Sequence, residues 1–256
     1  MFKLIKKFKL NYNKKVEKRK FYKDDIFIVS YPKSGNTWMR FLLANLLTDE
    51  EVNFHSAVKY IPDFEAHYDA VNSMSRPRLL KSHSLYNENF SKVIYIIRDP
   101  RDVYVSYFHY LKKHLELSES DFKTFVRNQE LHPSRWQVHV SSWLDDSRDN
   151  ILLIKYEDML INTFKELKKV VQFIGWNKSD SELKLAIEKS SFDSMSKIED
   201  EKGRPFINNE AKRKSTKFVR SGKQGDWKNY FDIEDLNFLN KELKSVVEKF
   251  GYRILE

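Results

Sequence analysis

The 256-residue chain is long enough for one large domain or two small ones, and at 41% hydrophobic and 14% aromatic it can bury a substantial core. It has no cysteine, which excludes disulfides, thiolate metal sites and cysteine nucleophiles. The net charge is +9, but residues 1–25 hold ten Lys/Arg against three acids, so +7 of it lies there, and the nearly neutral remainder argues against a general nucleic-acid binder.

That leader carries Phe2, Leu4, Ile5, Phe8 and Leu10 roughly on one helical face. A basic amphipathic segment can lie on an anionic membrane or on a partner. A frayed, solubilising terminus fits the same residues. The leader has no uninterrupted apolar h-region, and nothing approaches ~18 consecutive apolar residues. The expectation is a cytoplasmic protein with at most peripheral membrane contact through residues 1–25.

Residues 25–31 are an apolar run ending at Tyr31-Pro32, and read as a strand. A short polar loop follows, Lys33-Ser34-Gly35-Asn36-Thr37. Then Trp38, Met39, Leu42, Leu43, Leu46 and Leu47 recur at helical spacing, which predicts a helix over 36–47. Strand, tight loop and helix aim a helix N-terminus and several backbone N–H groups at one point, which suits a phosphate. The usual nucleotide loop is GxxxxGK[ST], with Lys after its second Gly. Here Lys33 comes two residues before a single Gly. In the functional reading Gly35 lets the backbone approach a ligand, Asn36 or Thr37 donates from its side chain, and Lys33 supplies a point charge. In the plainer reading this is a strand-to-helix turn capped by Asn36.

Residues 49–77 lack clear periodicity. Residues 78–81 read as a short strand leading to Lys81 and His83. A histidine at a strand's carboxyl end, near a cation, can be a general base. Residues 92–98 form the next strand, ending at Arg98. The helix predicted over 100–115 has Asp99 as N-cap and Pro100 at its first position. Arg98 can fork onto a phosphate, and Ser106, two turns into that helix, can face the same ligand. Alternatively, Arg98–Asp102 or Arg101–Asp99 are structural pairs.

Helices are predicted over 134–144, 163–174, 182–189 and 236–250, the last stopped by Gly251, and a strand over 151–155. Residues 196–222 are polar and basic. Long irregular segments of this kind tend to be lids or substrate walls. In residues 218–231, Arg220 and the Gly222 backbone could hold a second phosphate. The strands are continuously apolar and alternate with helices. This predicts an α/β fold: a single domain whose mainly parallel central sheet is flanked by helices on both faces, with a P-loop-kinase-like strand-loop-helix.

These motifs co-occur in order: YPKSGNTW at 31–38, KSH at 81–83, VIYIIRDPRDVYVSY at 93–107, KYEDM at 155–159, SFDSM at 191–195 and RSGKQGDWKN at 220–229. Together they resemble the cytosolic-type sulfotransferases, which use 3′-phosphoadenosine 5′-phosphosulfate (PAPS). The resemblance implies a basic extension over 1–24 and a sulfotransferase domain over 25–256. It implies that Lys33, Ser34, Gly35, Asn36 and Thr37 bind the 5′-phosphosulfate. Arg98, Ser106, Arg220, Ser221 and Gly222 map to the 3′-phosphate site. Trp38 and Phe192 map to the faces around adenine, with Tyr156 as a polar neighbour. His83 maps to the general base, and Lys81 lies beside the moving sulfuryl group. PAPS is then the co-substrate, 3′-phosphoadenosine 5′-phosphate (PAP) the product, and no metal is implied.

Asn36 stands where that family more often has Thr, and Ser221 where it often has Lys. Of the family's dimer motif KxxxTVxxxE only Lys228 survives, the other positions being Asp232, Ile233 and Asn237, so a monomer or weak dimer is expected. The implied acceptor is a small molecule, lipid or carbohydrate bearing a hydroxyl or amine. Tyr60, Phe64, Tyr68 and Phe108 would suit an aromatic or lipid-like alcohol, whereas His67 and Arg76 would suit a sugar or an acidic metabolite. The competing readings are an ATP-dependent small-molecule kinase, which would need a Mg²⁺ ligand set and usually a Lys after the last Gly, and a non-enzymatic basic module that docks on membrane or nucleic acid through its leader.

Overall fold

Four apolar runs form one sheet: β1 (Ile26–Ser30), β2 (Leu79–Ser82), β3 (Lys92–Ile97) and β4 (Ile151–Lys155). The computed structural model describes residues 19–115, 121–128, 131, 133–144, 148–205, 219 and 222–255. All pairings are parallel, in the order β2-β1-β3-β4. Each strand lies within about a residue of its predicted bounds. Among the described residues no helix is long and apolar enough to cross a membrane.

The strands are continuously apolar because both faces of the sheet are covered, and side chains alternate between them. Phe27, Val29, Leu80, Val93, Tyr95 and Ile97 enter one core. Ile26, Ile28, Leu79, Ile94, Ile96 and Ile154 enter the other. The second core is closed by α1 (Asn36–Ala44), α2 (Phe54–Tyr60), α8 (Thr163–Ile174), α9 (Asp180–Lys189) and α10 (Phe192–Lys202). The first is closed by α4 (Pro100–Leu115), α5 (Asp121–Val126), α6 (Trp136–Trp143) and α11 (Ile233–Val247). Two short helices complete the numbering, α3 (Tyr68–Ser73) and α7 (Tyr156–Ile161).

The helices follow their local signals. Asp99 Oδ1 accepts the Arg101 N–H at 2.9 Å, the expected cap of α4. α11 starts three residues earlier than periodicity suggested, because Asp232 caps it by accepting from the Asp235 N–H. It gives way to a 3₁₀ turn, Glu248–Phe250, before Gly251. Residues 49–77 are not irregular throughout. They hold α2, opened by an Asn53–Ser56 capping box, and α3. Likewise α10 occupies part of the stretch read as a loop from residue 196, between the Ser191 cap and Gly203. Helices of six or seven residues make under two turns, too few to show a 3.6 period.

At the amino ends of the strands a buried Arg78 makes a two-pronged pair with Asp25, at 2.8 and 2.6 Å. This pair fastens β1 to β2 with Ile26 opposite Leu79 and Val29 opposite Ser82. Carrying that register one residue further brings Ser30 and His83 together at the carboxyl ends.

Candidate active site

The chain leaves β1 for β2 on one side of it and returns to β3 on the other. Such a switch point leaves a crevice outside the carboxyl ends of the strands. A cavity of about 450 Å³ lies there. Lys33, Gly35, Asn36, Thr37, Trp38, Lys81, His83, Arg98, Ser106, Tyr156, Phe192 and Gly222 all line it. Twelve of the predicted site residues, from every strand end, are therefore assembled around one volume. Ser34 is fully buried behind the loop and does not line it. Arg220 and Ser221 lie outside the described residues, as does the leader up to residue 18.

The loop is shaped by two positive backbone angles, φ 69° at Lys33 and φ 104° at Gly35. Gly35 is the N-cap of α1, and no side chain caps that end. This corrects the expectation for Asn36. Its amide nitrogen instead donates to the Ile28 carbonyl at 3.1 Å and the Ser30 hydroxyl at 3.3 Å, tying α1 to β1. The first-turn N–H groups of α1 thus have no side-chain cap and remain available to a ligand. A Cβ on Gly35 would lie 2.6 Å from the Tyr156 ring, so only glycine lets the loop meet that ring.

Tyr156 organises one end of the cavity. Trp38 meets its ring edge-on, with centroids 5.8 Å apart. The Arg98 guanidinium lies over it, 4.3 Å from the centroid. Arg98 also donates to the Lys33 carbonyl at 3.1 Å and the Lys223 carbonyl at 3.4 Å, while its Nε is buried without a hydrogen-bond partner. It therefore joins two loops far apart in sequence. Phe192 packs against Gly222 so closely that a Cβ there would lie 2.6 Å from its ring.

His83 and Lys81 form the other end. His83 Nδ1 lies 2.7 Å from the Ser30 carbonyl. A carbonyl can only accept, so Nδ1 carries the proton and Nε2 keeps its lone pair. Burial, then the Lys81 charge, hold His83 well below the usual histidine value. It is neutral at pH 7. Lys81 Nζ is paired with Asp63, which reaches it through a parallel bridge between the two residues. Burial pushes the Asp63 carboxyl up, but the Lys81 charge and hydrogen bond, with help from the Glu65 side chain, outweigh it and hold Asp63 ionised, well below the usual carboxylate range.

This arrangement of strand ends agrees with the sulfotransferase domain, whose pattern matches residues 23–251. The chain belongs to the sulfotransferase family. It is 32% identical to sulfotransferase 2A6 of Mus musculus over 85% of this chain and 82% of that protein. It is 29% identical to sulfotransferase 1E1 of Bos taurus, over 90% and 87%. The crystal structure of mouse sulfotransferase SULT7A1 complexed with PAP superposes with a TM-score of 0.72 at 25% identity, covering 90% of this chain and 87% of that one.

Some residues of this sulfotransferase's site escaped the sequence reading. Asp102 accepts from the Gly225 and Trp227 N–H groups at 2.8 and 3.1 Å, holding the GDW segment against α4. Arg101 pairs with Asp99 and covers the Trp227 ring, as the structural alternative anticipated. Tyr107 and Tyr110, one and four residues past Ser106, line the cavity, and Lys33 Nζ lies 4.9 Å over the Tyr110 ring. The aromatic residues expected to line an acceptor pocket are elsewhere. Phe64 and Phe108 are in the core, and Tyr60 and Tyr68 are not among the lining residues. Arg40, one turn past Asn36, does line it.

Proposed function

We propose that the cavity takes PAPS and a small-molecule acceptor bearing a hydroxyl or amine, with His83 as the general base of sulfuryl transfer. The observation that carries this reading is the His83–Ser30 hydrogen bond. It leaves an unprotonated Nε2 on a neutral imidazole that lines the cavity beside a cation. The donor fits the residues present. The α1 N-terminus lacks a side-chain cap, Arg98 Nε is an unpartnered buried donor, and both glycines leave room that a side chain would fill.

PAPS, when bound, supplies the sulfuryl group and a phosphate leaving group. The roles of this chain's residues follow from charge. His83 Nε2 takes the acceptor's proton as its oxygen or nitrogen attacks sulfur. Lys33, Lys81 and the α1 N-terminus stabilise the negative charge that grows on the departing side. Thr37 and the N–H groups of Gly35 and Asn36 bind the 5′ end. Trp38, Tyr156 and Phe192 offer aromatic faces to adenine. Arg98, Ser106 and Gly222 receive the 3′-phosphate, and the resemblance adds Arg220 and Ser221 to them.

The test combines two measurements. Titration calorimetry with 3′,5′-ADP should show binding without Mg²⁺, and labelled PAPS should transfer its sulfuryl group to an acceptor from a small-molecule screen. Binding that appears only for ATP with Mg²⁺ would instead make the protein a kinase.

A further inference from the structure

We propose that the acceptor of this enzyme carries, in addition to its nucleophile, an oxyanion, a carboxylate or phosphate, and that Arg40 binds that group. The proposal rests on the sulfotransferase reading and deepens it.

Arg40 lies on α1, and lines the same cavity as Lys81 and His83. Its Nη2 donates to the Ile61 carbonyl at 2.5 Å and the Ala57 carbonyl at 3.4 Å, which fixes the guanidinium plane. Its Nε is buried without a hydrogen-bond partner, and among the described residues no carboxylate pairs with it. Burial lowers Arg40 to about 10, so it stays protonated at neutral pH.

The neighbouring acids do not balance this charge. Asp63 is engaged on both oxygens. One accepts from Lys81, and the other from the Glu65 and Ala66 N–H groups, each at 2.9 Å. Glu65 is buried against Ser82, and burial beside Asp63 pushes it up to about 8, so it is mostly uncharged at pH 7. Arg40 and Lys81 therefore share a single anion.

The cavity as a whole has the same bias. Among the described residues four cations line it, Lys33, Arg40, Lys81 and Arg98, and no aspartate or glutamate does. Lys33 and Arg98 lie on the loop and strand end assigned to the donor. Lys81 is neutralised by Asp63. Arg40 remains, held by the Ile61 and Ala57 carbonyls but facing no carboxylate among the described residues, and a mostly desolvated cation with no counter-charge is costly until a ligand anion supplies one. A guanidinium fork matches a planar carboxylate or a phosphate. Tyr107 and Tyr110 can flank the body of such an acceptor.

The test compares two acceptors of nearly equal size, 3-(4-hydroxyphenyl)propanoate and its primary amide, in transfer from labelled PAPS. The wild-type kcat/KM should favour the acid about ten- to a hundredfold, the scale of a hydrogen-bonded charge pair. Arg40→Gln should bring the ratio near one, and Arg40→Lys, which keeps charge but loses the fork, should fall between. The wild-type comparison does not depend on either variant folding. An acid turned over no faster than its amide overturns the proposal, as does a ratio unchanged by Arg40→Gln. If Arg40→Gln slows both acceptors equally, Arg40 serves the donor and the proposal fails. Calorimetry with 3′,5′-ADP on the wild type stands apart: its failure would remove the donor reading itself.

Discussion

Gly35→Ala tests whether the loop and Tyr156 act together. The new Cβ would sit 2.6 Å from Tyr156 Cδ2 and 3.1 Å from Cε2. Ordinary carbon contacts are about 3.5–4.0 Å, so the ring must retreat by roughly 1 Å. That ring supports the Arg98 guanidinium at 4.3 Å and meets Trp38 at 5.8 Å, so the shift reaches both ends of the proposed donor footprint. The backbone adds about 1–2 kcal/mol, because φ 104° suits only glycine. Gly175→Ala is the control. It has φ 80° but no heavy atom within 4 Å of the new Cβ. Both variants should melt about 2–8 °C lower, the shift that backbone cost implies for a domain of this size. Only Gly35→Ala should weaken 3′,5′-ADP binding, by about tenfold or more in calorimetry, which is ~1.4 kcal/mol. Equal affinity in Gly35→Ala and wild type would refute the coupling of loop, ring and donor.

His83→Ala should lower kcat about a hundredfold or more, the usual scale for a positioned base, with 3′,5′-ADP affinity retained. A near-normal kcat removes His83 from the chemistry. The working form of His83 is neutral, so kcat/KM should hold its plateau below pH 6.5 and fall only as pH drops through the depressed value. Asp63→Asn removes a charge that holds His83 up, and should move this acid limb to lower pH. Lys81→Met removes one that holds it down, and should move the limb to higher pH. Shifts of the same sign would contradict this electrostatic account. Asp102→Ala leaves two N–H groups of the GDW segment without their acceptor, each worth about 1–3 kcal/mol if it stays buried. The melt should fall and donor affinity with it. A lower melt with wild-type affinity would separate that segment from the donor.

The sheet was legible because a strand covered on both faces must be apolar at every position, a pattern that survives an uncertainty of one residue at each end. Helix α4 was legible because Asp99-Pro100 marks its start chemically. The residues proposed to hold the donor could be brought to one cavity from sequence because they belong to contiguous motifs. Those on the proposed acceptor side could not, for two physical reasons. Asp63 meets Lys81 only through a bridge between segments 18 residues apart, and nothing local in either segment announces it. On α4 the run Tyr104–Tyr110 sets aromatic rings on several faces of the helix. Its period therefore could not show that Tyr107, itself packed in the core beside Phe108, and Tyr110 also reach the cavity while Phe108 does not. Asn36 was misread because a cap and a tether use the same amide. The choice depended on how near Ile28 and Ser30 lie.

The register of β1 against β2 ends at Val29 opposite Ser82, and the next rung is made by the His83 imidazole against the Ser30 carbonyl. The proposed base is thus an extension of the sheet's own ladder. Its protonation pattern is inherited from main-chain geometry, not from a dedicated partner side chain. In the proposed mechanism the cavity walls on α1 and α4 can therefore diverge while the proton-accepting Nε2 stays where the backbone puts it.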